Sequence, residues 1–379
     1  MVRLVCTVND GMTHHKQWNN HLALRCIVLL TRYNVQLISV LVIESTDSVR
    51  YTIQSIFKST PYITINHKYN TIMVSHSSND VLLDTSPDSC VIGWIGFGLM
   101  GTACAQKHME HKYRVLGYNR TMSKVHECAG VEPIDSIEEL VKKADIVFSS
   151  LTDDTAVNSI YQSIIPVAKR NQIFVEMSTC SPHTASDIAK QLSDKHCYML
   201  DAPISGSPAS IAKGAASIIA GGDQHIFDLV KPLLACIGPG SQLLMGDHGK
   251  GQVMKLAINL HLAQQVAASC ESVLICESYG ITRESALTAL LSSAAASAHM
   301  KYRAPYINKL PDKALFTTKM MAKDLRLVQE LAGAKSLPLP VTSIVQSLIN
   351  ATGKQYSQQD FAAMYKSFYS IYLPDASAK

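Results

Sequence analysis

The sequence lacks paired cysteine motifs and any long uninterrupted hydrophobic run. Its ten cysteines occur singly, with neither a C-x-x-C pair nor a Cys/His cluster, which argues against a disulfide framework and a metal site and indicates a reducing compartment. The best candidate for a membrane span, residues 22–43, contains two arginines, an asparagine and a glutamine, all costly in hydrocarbon. The start resembles neither a signal peptide nor a transit peptide. We therefore expect a cytoplasmic rather than a mitochondrial protein without a membrane partner.

An excess of charge of one sign is also missing. The 34 basic and 30 acidic residues leave a formal charge of +4, too small to indicate binding to nucleic acid or to an anionic membrane. A hydrophobic content of 47% and a charged content of 17% are typical of an ordinary globular protein. The length of 379 residues allows two domains with a sizeable core.

Residues 1–89 differ from the rest of the chain. Short β-favouring runs at 40–43, 51–56, 62–65 and 71–74 lie among Asn, His, Ser and Thr, without regular periodicity or a chemical motif. We interpret this part as a poorly ordered extension of unknown function, and added strands or a partner-binding segment are the alternatives. Serine-rich stretches at 75–80 and 86–89 predict the linker into the folded part of the chain.

From residue 90 the chain alternates apolar runs with amphipathic segments. The buried-strand candidates are 115–118, 146–148, 173–175, 198–200 and 217–220. This alternation predicts an α/β fold with a mostly parallel, doubly wound sheet of the Rossmann type over residues 90–252.

The composition changes near Gly249. A long helix is predicted over 253–277, with Gly280 placed to end it, and further helices over 283–298, 319–331 and 341–350, before Gly353 interrupts the pattern. We therefore expect an all-α C-terminal domain, residues 253–375, joined to the sheet by the long helix. Such a joint places a cleft between the two domains.

A glycine-rich turn follows the first apolar strand. Glycines at 96, 98 and 101 match the G-x-G-x-x-G spacing of dinucleotide-binding turns, in which they permit a tight turn, backbone approach to a pyrophosphate and close helix packing. The pyrophosphate lies on the N-terminus of the following helix. Taken alone the pattern is weak, because ordinary turns share it. The candidate cofactor-binding residues are Gly96, Phe97, Gly98, Leu99, Met100 and Gly101.

The residues at the end of the second strand indicate which dinucleotide the glycine turn would bind. NAD-binding turns place a carboxylate there for the ribose 2′-hydroxyl, whereas this chain has Asn119, Arg120 and Thr121. Arg120 can pair with a 2′-phosphate, while its neighbours supply neutral hydrogen bonds. The alternative is an exposed loop arginine without function. We predict NADP as the cofactor in preference to NAD.

Two further strand ends carry small polar residues. Thr179 follows the strand 173–175 and can contact the ribose or nicotinamide, although it could merely cap a helix. Ser205 and Gly206 follow the strand 198–200 and can hold a small carboxylate through a hydroxyl and free backbone N–H groups. A simple Ser-Gly turn is the alternative.

The long helix carries Lys255 and Asn259, whose i, i+4 spacing places them on one face. Apolar neighbours would lower the pKa of Lys255 towards the range of acid/base chemistry. The alternative is a surface lysine whose stem covers an apolar stripe. Lys323 begins a Lys-Asp-Leu run on a later helix, which on its own reads as a solvated charge pair.

In this order the motifs resemble the β-hydroxyacid dehydrogenase family, which includes 3-hydroxyisobutyrate dehydrogenase and glyoxylate/succinic semialdehyde reductase. The resemblance covers residues 90–374 and implies NADP-dependent hydride transfer on a short 3-hydroxy acid or its aldehyde or keto acid. It implies that Lys255 is the catalytic acid/base, that Asn259 orients the substrate, and that Ser205 and Gly206 hold its carboxylate. The same resemblance implies that Thr179 and Lys323 contact the cofactor. It also implies a homodimer or higher homo-oligomer formed through the helical domain, and no metal.

Two departures leave the substrate open. Ser207 stands where the family often has a second glycine, and Ile258 stands where it often has asparagine. An imine reductase shares the architecture, but those proteins commonly lack a lysine at the position of Lys255. A non-catalytic NADP-binding scaffold, with residues 1–89 as its interaction segment, is the alternative from another class.

Overall fold

A computed structural model describes residues 83–372 continuously, with side chains up to residue 369, and six short strands before them. The chain forms two compact units, 1–82 and 83–379. The first unit contains an antiparallel pair, β1 (Leu29–Leu30) and β2 (Val35–Gln36), and an antiparallel four-stranded sheet in chain order, β3 (Val40–Ser45), β4 (Ser48–Ile53), β5 (Tyr62–Asn66) and β6 (Thr71–Ser75). These four strands coincide closely with the β-favouring runs. The prediction of poor order concerns mainly residues that lie outside the described ones.

The second unit begins with a twisted sheet. Its strands are β7 (Val91–Ile95), β8 (Arg114–Tyr118), β9 (Glu132–Pro133), β10 (Ile146–Ser149), β11 (Ile173–Glu176), β12 (Tyr198–Asp201), β13 (Ile204–Ser205), β14 (Ser217–Gly222) and β15 (Ser241–Leu244). Their order is β13-β14-β12-β11-β10-β7-β8-β9, and β15 pairs with β14. Strands β7 to β12 form parallel pairs, while β14 runs antiparallel to β12 and β13. The predicted doubly wound sheet is therefore confirmed, and its order reverses between β7 and β10, where such sheets bind ligands.

Seven helices accompany this sheet: α1 (Leu99–Glu110), α2 (Ser123–His126), α3 (Ile137–Lys143), α4 (Asp154–Ile164), α5 (Pro182–Asp194), α6 (Pro208–Ala212) and α7 (Gln224–Ile237). Several begin at side-chain caps that the sequence supplies. Ser136 accepts from the N–H of Glu139 at 3.1 Å, and Asp153 accepts from the N–H of Ala156 at 3.0 Å. Such caps satisfy N–H groups that the first helical turn leaves free.

A buried histidine links two of these helices to the sheet. Trp94 Nε1 donates to His108 Nδ1 at 3.0 Å, so the Nε2–H of His108 donates to the carbonyl of Leu233, also at 3.0 Å. Burial lowers the pKa of His108 to about 4, which keeps the ring neutral. His108 therefore serves the packing of α1, α7 and β7.

The remaining elements are helical: α8 (Lys250–Ser278), α9 (Arg283–Ser292), α10 (Ala298–Asn308), α11 (Thr318–Ala334), α12 (Pro340–Tyr356), a 3₁₀ turn (Phe361–Ala363) and α13 (Met364–Tyr372). The 29-residue α8 packs against β12, β13 and β14 at its start and against α9 to α13 farther on. The predicted all-α part joined by a long helix is confirmed. Among the helices of the described residues, none is long and apolar enough to cross a membrane.

Two details of the helical prediction are wrong. The helix that begins at Arg283 ends at Ser292 instead of reaching residue 298, where the separate helix α10 begins; Ser297 caps α10 by accepting from the N–H of Met300 at 3.1 Å. Gly353 lies inside α12 and does not interrupt it. A helical glycine costs about 1 kcal/mol relative to alanine, and burial of side chains such as Val345 and Ile349 on the same helix outweighs that cost.

The helical core contains a buried ion pair. Arg303 donates to the carboxylate of Asp360, and both side chains are almost fully buried. The same carboxylate accepts from the N–H of Ala362 at 3.1 Å, and the guanidinium lies 4.5 Å from the ring centre of Phe361. The pair fixes α10 to the segment that begins the last two helical elements.

Candidate active site

At two of the three glycines of the turn a side chain would clash with the backbone, and at the third there is free space. A Cβ atom on Gly96, whose φ is +97°, would lie 2.3 Å from the carbonyl oxygen of Ser150, and one on Gly101 would lie 2.0 Å from that of Gly96. Side chains are therefore excluded at both positions. At Gly98 no atom lies within 4 Å of such a Cβ, and the residue is the N-cap of α1. The turn thus leaves open space at a helix N-terminus, which suits an anion.

The residues between the glycines differ in exposure. Phe97 is buried and its N–H donates to Asn119 Oδ1 at 3.0 Å, whereas Leu99 is exposed and Met100 is half-buried. Asn119 Nδ2 in turn donates to the carbonyl of Thr121 at 2.8 Å. Asn119 therefore ties the glycine turn to the loop after β8.

Arg120 and Thr121 lie on the solvent side of that loop. Both are exposed, and the guanidinium of Arg120 makes no hydrogen bond or ion pair with any residue of the described part of the chain. A cation without a partner beside a glycine turn is available to a phosphate of a bound nucleotide. Through Asn119, which bonds both Phe97 and Thr121, this loop lies next to the glycine turn.

The loop after β11 is held by a buried polar network. Glu176 accepts from Ser149 Oγ and from the N–H of Ser178, each at 2.6 Å, and Tyr161 lies 3.2 Å from the same serine. Burial raises the pKa of Glu176 to about 7, against the stabilising effect of these hydrogen bonds. Ser178 Oγ accepts from the N–H of Leu151 at 2.6 Å. This network, which the sequence did not predict, joins the strand ends of β10 and β11.

Asp201, at the end of β12, caps α8 from outside the helix. Its carboxylate accepts from the N–H of Gly249 at 2.7 Å and of Gln252 at 3.1 Å. Burial raises the pKa of Asp201 to about 7, although these amides favour the charged form. Asp201, four residues before Ser205, therefore positions the long helix.

Ser205 and Gly206 lie at the end of β13. Ser205 is half-buried and Gly206 exposed, while Ser207 and Ser210 form a capping box at the start of α6. The capping box explains why serine can stand at 207, and it leaves Ser205 outside the cap. Because α8 packs against β13, Ser205 lies on an element that contacts the helix of Lys255.

Lys255 and Asn259 are buried on α8. Lys255 is 8% exposed, and its ammonium makes no hydrogen bond within the described residues. Burial lowers the pKa of Lys255 to about 8; the Asp324 carboxylate opposes this shift and Lys323 adds to it. Asn259 Nδ2 donates to Asp324 Oδ2 at 2.6 Å, while its Oδ1 has no partner within the described residues. One free donor and one free acceptor are thus buried on one helical face.

In the Lys-Asp-Leu run on α11, Asp324 and Leu325 are buried and Lys323 is half-buried, so the interpretation as a solvated charge pair is wrong. Lys323 lies 3.0 Å from Asp324 and donates to the carbonyl of Thr179. Asp324 is 2% exposed and holds Asn259, a role that the sequence missed. Only the adjacent Lys323 could have suggested it, because a pairing across 65 residues leaves no local pattern.

These contacts form one continuous chain. The glycine turn contacts Ser150, and the N–H of the next residue, Leu151, donates to Ser178. The carbonyl of Thr179, which follows Ser178, accepts from Lys323. Lys323 in turn pairs with Asp324, beside Lys255. The contacts thus run from the glycine turn to the surroundings of Lys255, at the junction of the sheet and the helices. Among the described residues, no group of three or more His, Cys, Asp or Glu side chains could hold a metal ion.

Comparisons with known proteins agree with this geometry. Residues 91–246 match the NAD binding domain of 6-phosphogluconate dehydrogenase, and residues 249–368 match the NAD-binding region of NADP-dependent 3-hydroxyisobutyrate dehydrogenase. The chain is 30% identical to an uncharacterized oxidoreductase of Synechocystis sp., covering 69% of this chain and 91% of that one. It is 28% identical to a probable mitochondrial 3-hydroxyisobutyrate dehydrogenase-like protein of Arabidopsis thaliana, covering 72% and 81%.

Solved structures share the fold. The 3-hydroxyisobutyrate dehydrogenase of Mycobacterium tuberculosis superposes with a TM-score of 0.68 at 23% identity, covering 74% of this chain and 99% of that one. An imine reductase of Myxococcus stipitatus gives a TM-score of 0.51 at 16% identity, covering 74% and 99%. At these identities the likeness concerns the fold alone.

The chain combines a Rossmann sheet and an open glycine turn with a helical part that carries a buried lysine at the junction. Together these features define an oxidoreductase that uses a nicotinamide cofactor. The chain belongs to the β-hydroxyacid dehydrogenase family and is an NAD(P)-dependent hydroxyacid dehydrogenase or reductase. The family suggested by its motifs is therefore confirmed.

The last two glycines, one at the open position and one at a closed position, allow a direct test of the turn. Gly98→Ala should fold as the wild type does, because its φ of −82° and ψ of −173° suit alanine, yet weaken cofactor binding at least ~10-fold by filling the space left for phosphate. Gly101→Ala should instead destabilise the fold by about 1–3 kcal/mol through overpacking. Thermal midpoints and cofactor titrations separate the two effects; equal stability loss in both variants would contradict this account.

Proposed function

We propose that this chain transfers a hydride between NADPH and a short 3-hydroxy acid or the corresponding aldehyde or keto acid, with Lys255 as general acid and base. The observation that carries the proposal is the buried Lys255, with a pKa of about 8 and no hydrogen-bond partner within the described residues, on the face shared with Asn259. A general acid or base works best when its pKa lies near the working pH.

The residues present fit a dinucleotide cofactor, because the turn is open at Gly98 and Arg120 is free to pair with a phosphate. The bound cofactor supplies or accepts the hydride. In reduction, the Lys255 ammonium donates a proton to the substrate carbonyl oxygen as negative charge develops there; in oxidation, the neutral amine accepts the hydroxyl proton. Lys255 thereby gives the electrophilic assistance that a metal gives elsewhere.

Substrate orientation falls to three residues. Asn259 orients the substrate: Asp324 holds the Nδ2 side of its amide, and its buried Oδ1 has no partner within the described residues. Ser205 and Gly206 hold the substrate carboxylate through a hydroxyl and a backbone N–H. Lys323, which bonds Thr179 and pairs with Asp324, closes the helical part over the nicotinamide side.

The NADP preference rests on Arg120. Arg120→Ala should raise the KM for NADPH about 10- to 100-fold, the value of a lost charge-assisted hydrogen bond, and leave the KM for NADH within about twofold. The matched control is Arg170→Ala, an exposed arginine just before the amino end of β11, whereas Arg120 follows the carboxyl end of β8. Equal effects on both cofactors, or a wild-type preference for NADH, would overturn the assignment.

The pKa of Lys255 predicts pH profiles of opposite sign. Reduction needs the ammonium form, so kcat should be level below pH 8 and fall above it; oxidation needs the amine, so kcat should rise up to about pH 8 and then level off. Titration of a structural group such as Asp201, whose pKa lies near 7, would change both directions in the same sense. The check is to measure kcat against pH in both directions. If kcat changed in the same sense with pH in reduction and in oxidation, the acid/base role of Lys255 would be contradicted.

A substrate screen tests the function as a whole. NADPH oxidation should be measured with glyoxylate, succinic semialdehyde, methylmalonate semialdehyde and a cyclic imine, with cofactor binding measured separately. Turnover of a carbonyl acid supports the proposal. Turnover of the imine alone would favour an imine reductase, and tight NADPH binding without any turnover would favour a non-catalytic scaffold.

A further inference from the structure

Gln252 lies in the first turn of α8 and is fully buried. Its Oε1 accepts from the N–H of Cys180 at 3.1 Å, and its Nε2 donates to the carbonyl of Ser178 at 2.9 Å. Both bonds cross more than 70 residues of sequence to the loop after β11. A single amide side chain therefore satisfies one donor and one acceptor of the loop that carries Thr179.

Two sets of hydrogen bonds hold the start of α8 in place. Asp201 holds its backbone through the N–H groups of Gly249 and Gln252, and the Gln252 side chain holds the loop 178–180 to the helix. Lys255 follows Gln252 by three residues, so both side chains project from neighbouring positions on the same helical face. The placement of Lys255 relative to the loop therefore depends on Gln252.

We propose that Gln252 is a positioning residue that sets the distance between Lys255 and the nicotinamide-side loop 178–180. This inference rests on the proposed function. Losing the amide would leave the Cys180 N–H and the Ser178 carbonyl buried without partners, which the loop and α8 can relieve only by moving apart. The carboxylate-binding residues Ser205 and Gly206 lie on β13 and its following turn, away from both bonds.

Gln252→Met removes both hydrogen bonds at nearly constant volume. We expect kcat to fall about 10- to 100-fold, as for a misplacement on the order of 1 Å, with the substrate KM within about threefold and a larger primary isotope effect from 4-deuterated NADPH. Gln264→Met is the matched control, because Gln264 lies on the same helix, half-buried, and bonds only Thr342 in the helical part. It should change kcat less than about twofold.

Gln252→Glu keeps the acceptor for Cys180 but can donate to the Ser178 carbonyl only when its carboxyl is protonated. Its kcat for reduction should therefore recover towards the wild-type value as the pH falls, whereas the Gln252→Met variant should show no recovery. Because protonation of a buried carboxyl also stabilises the fold, the thermal midpoint is measured at each pH; recovery of kcat without a matching rise of the midpoint marks the positioning role, and a parallel rise marks a folding defect.

The outcomes separate this inference from the proposed function. A Gln252→Met variant with wild-type kcat, alongside an inactive Lys255→Met variant, overturns the positioning role and leaves the function standing. If the wild type turns over no substrate, the function fails, and hydrogen exchange decides the inference instead. Faster exchange at both 178–180 and 250–256 in Gln252→Met, absent in Gln264→Met, supports it; unchanged exchange overturns it.

Discussion

Replacing Lys255 with methionine is expected to lower the rate of NADPH-dependent carbonyl reduction at least ~10²-fold, the contribution of a positioned general acid. Methionine fills most of the space of the lysine stem but cannot donate a proton. Because Lys255 makes no hydrogen bond within the described residues and is a buried cation with a lowered pKa, its removal should leave the fold intact or stabilise it. Cofactor affinity should remain within about threefold.

Lys250→Met is the control for this experiment. Lys250 lies at the exposed start of the same helix, where it pairs with Asp247 at 2.8 Å, and it is remote from the Asn259–Asp324 contact. Rates within about twofold of the wild type are expected for this variant. Stopped-flow measurements of NADPH oxidation compare the two variants, and a Lys255→Met enzyme of wild-type rate would refute the proposed acid/base role.

Of all the substitutions described, replacing Asp360 should lower the free energy of unfolding most. Asp360→Ala leaves the Arg303 guanidinium buried without its counter-charge, which costs about 3–5 kcal/mol, and removes the acceptor for the Ala362 N–H. The nearby ring of Phe361, 4.5 Å from the guanidinium, compensates only about 1–2 kcal/mol of that cost. Urea denaturation and thermal midpoints measure the loss.

Two further variants show whether the loss comes from burial of the charge. Glu330→Ala removes the partner of Arg326 in an i, i+4 pair that is about half exposed on both sides, and it should cost less than about 0.5 kcal/mol. The double variant Arg303→Met with Asp360→Ala should lose less than Asp360→Ala alone, because no unpaired charge remains. A double variant as unstable as the sum of its single variants would contradict this reasoning.

Much of the fold could be predicted from periodicity and local chemistry. The glycine turn, the alternation of apolar runs and helices, and the long helix with Gly280 at its end each leave a pattern within a few residues, and the structure contains all three. The proximity of Lys255 and Asn259 to each other followed from their i, i+4 spacing on a helix. Burial of Lys255 stayed open, because apolar sequence neighbours also fit a surface stripe, and two of them, Val253 and Met254, are exposed.

The supporting contacts could not be predicted, because each joins segments distant in sequence. Asp324 reaches Asn259 across 65 residues, Asp201 reaches Gly249 across 48, and Gln252 reaches Cys180 across 72. A carboxylate on a helix or at a strand end gives no local sign of whether it meets water or a buried amide. The sequence therefore identified the reacting groups better than the groups that hold them.

The most direct test of the account follows the hydride itself. NADPH carrying deuterium at the transferred position of C4 should be mixed with succinic semialdehyde or glyoxylate and the enzyme, and the product analysed by mass spectrometry. The account predicts a hydroxy acid that contains a single deuterium bound to carbon, formed by the wild type and Lys250→Met but scarcely by Lys255→Met. A hydroxy acid without deuterium, or equal labelling by the Lys255→Met enzyme, would contradict it.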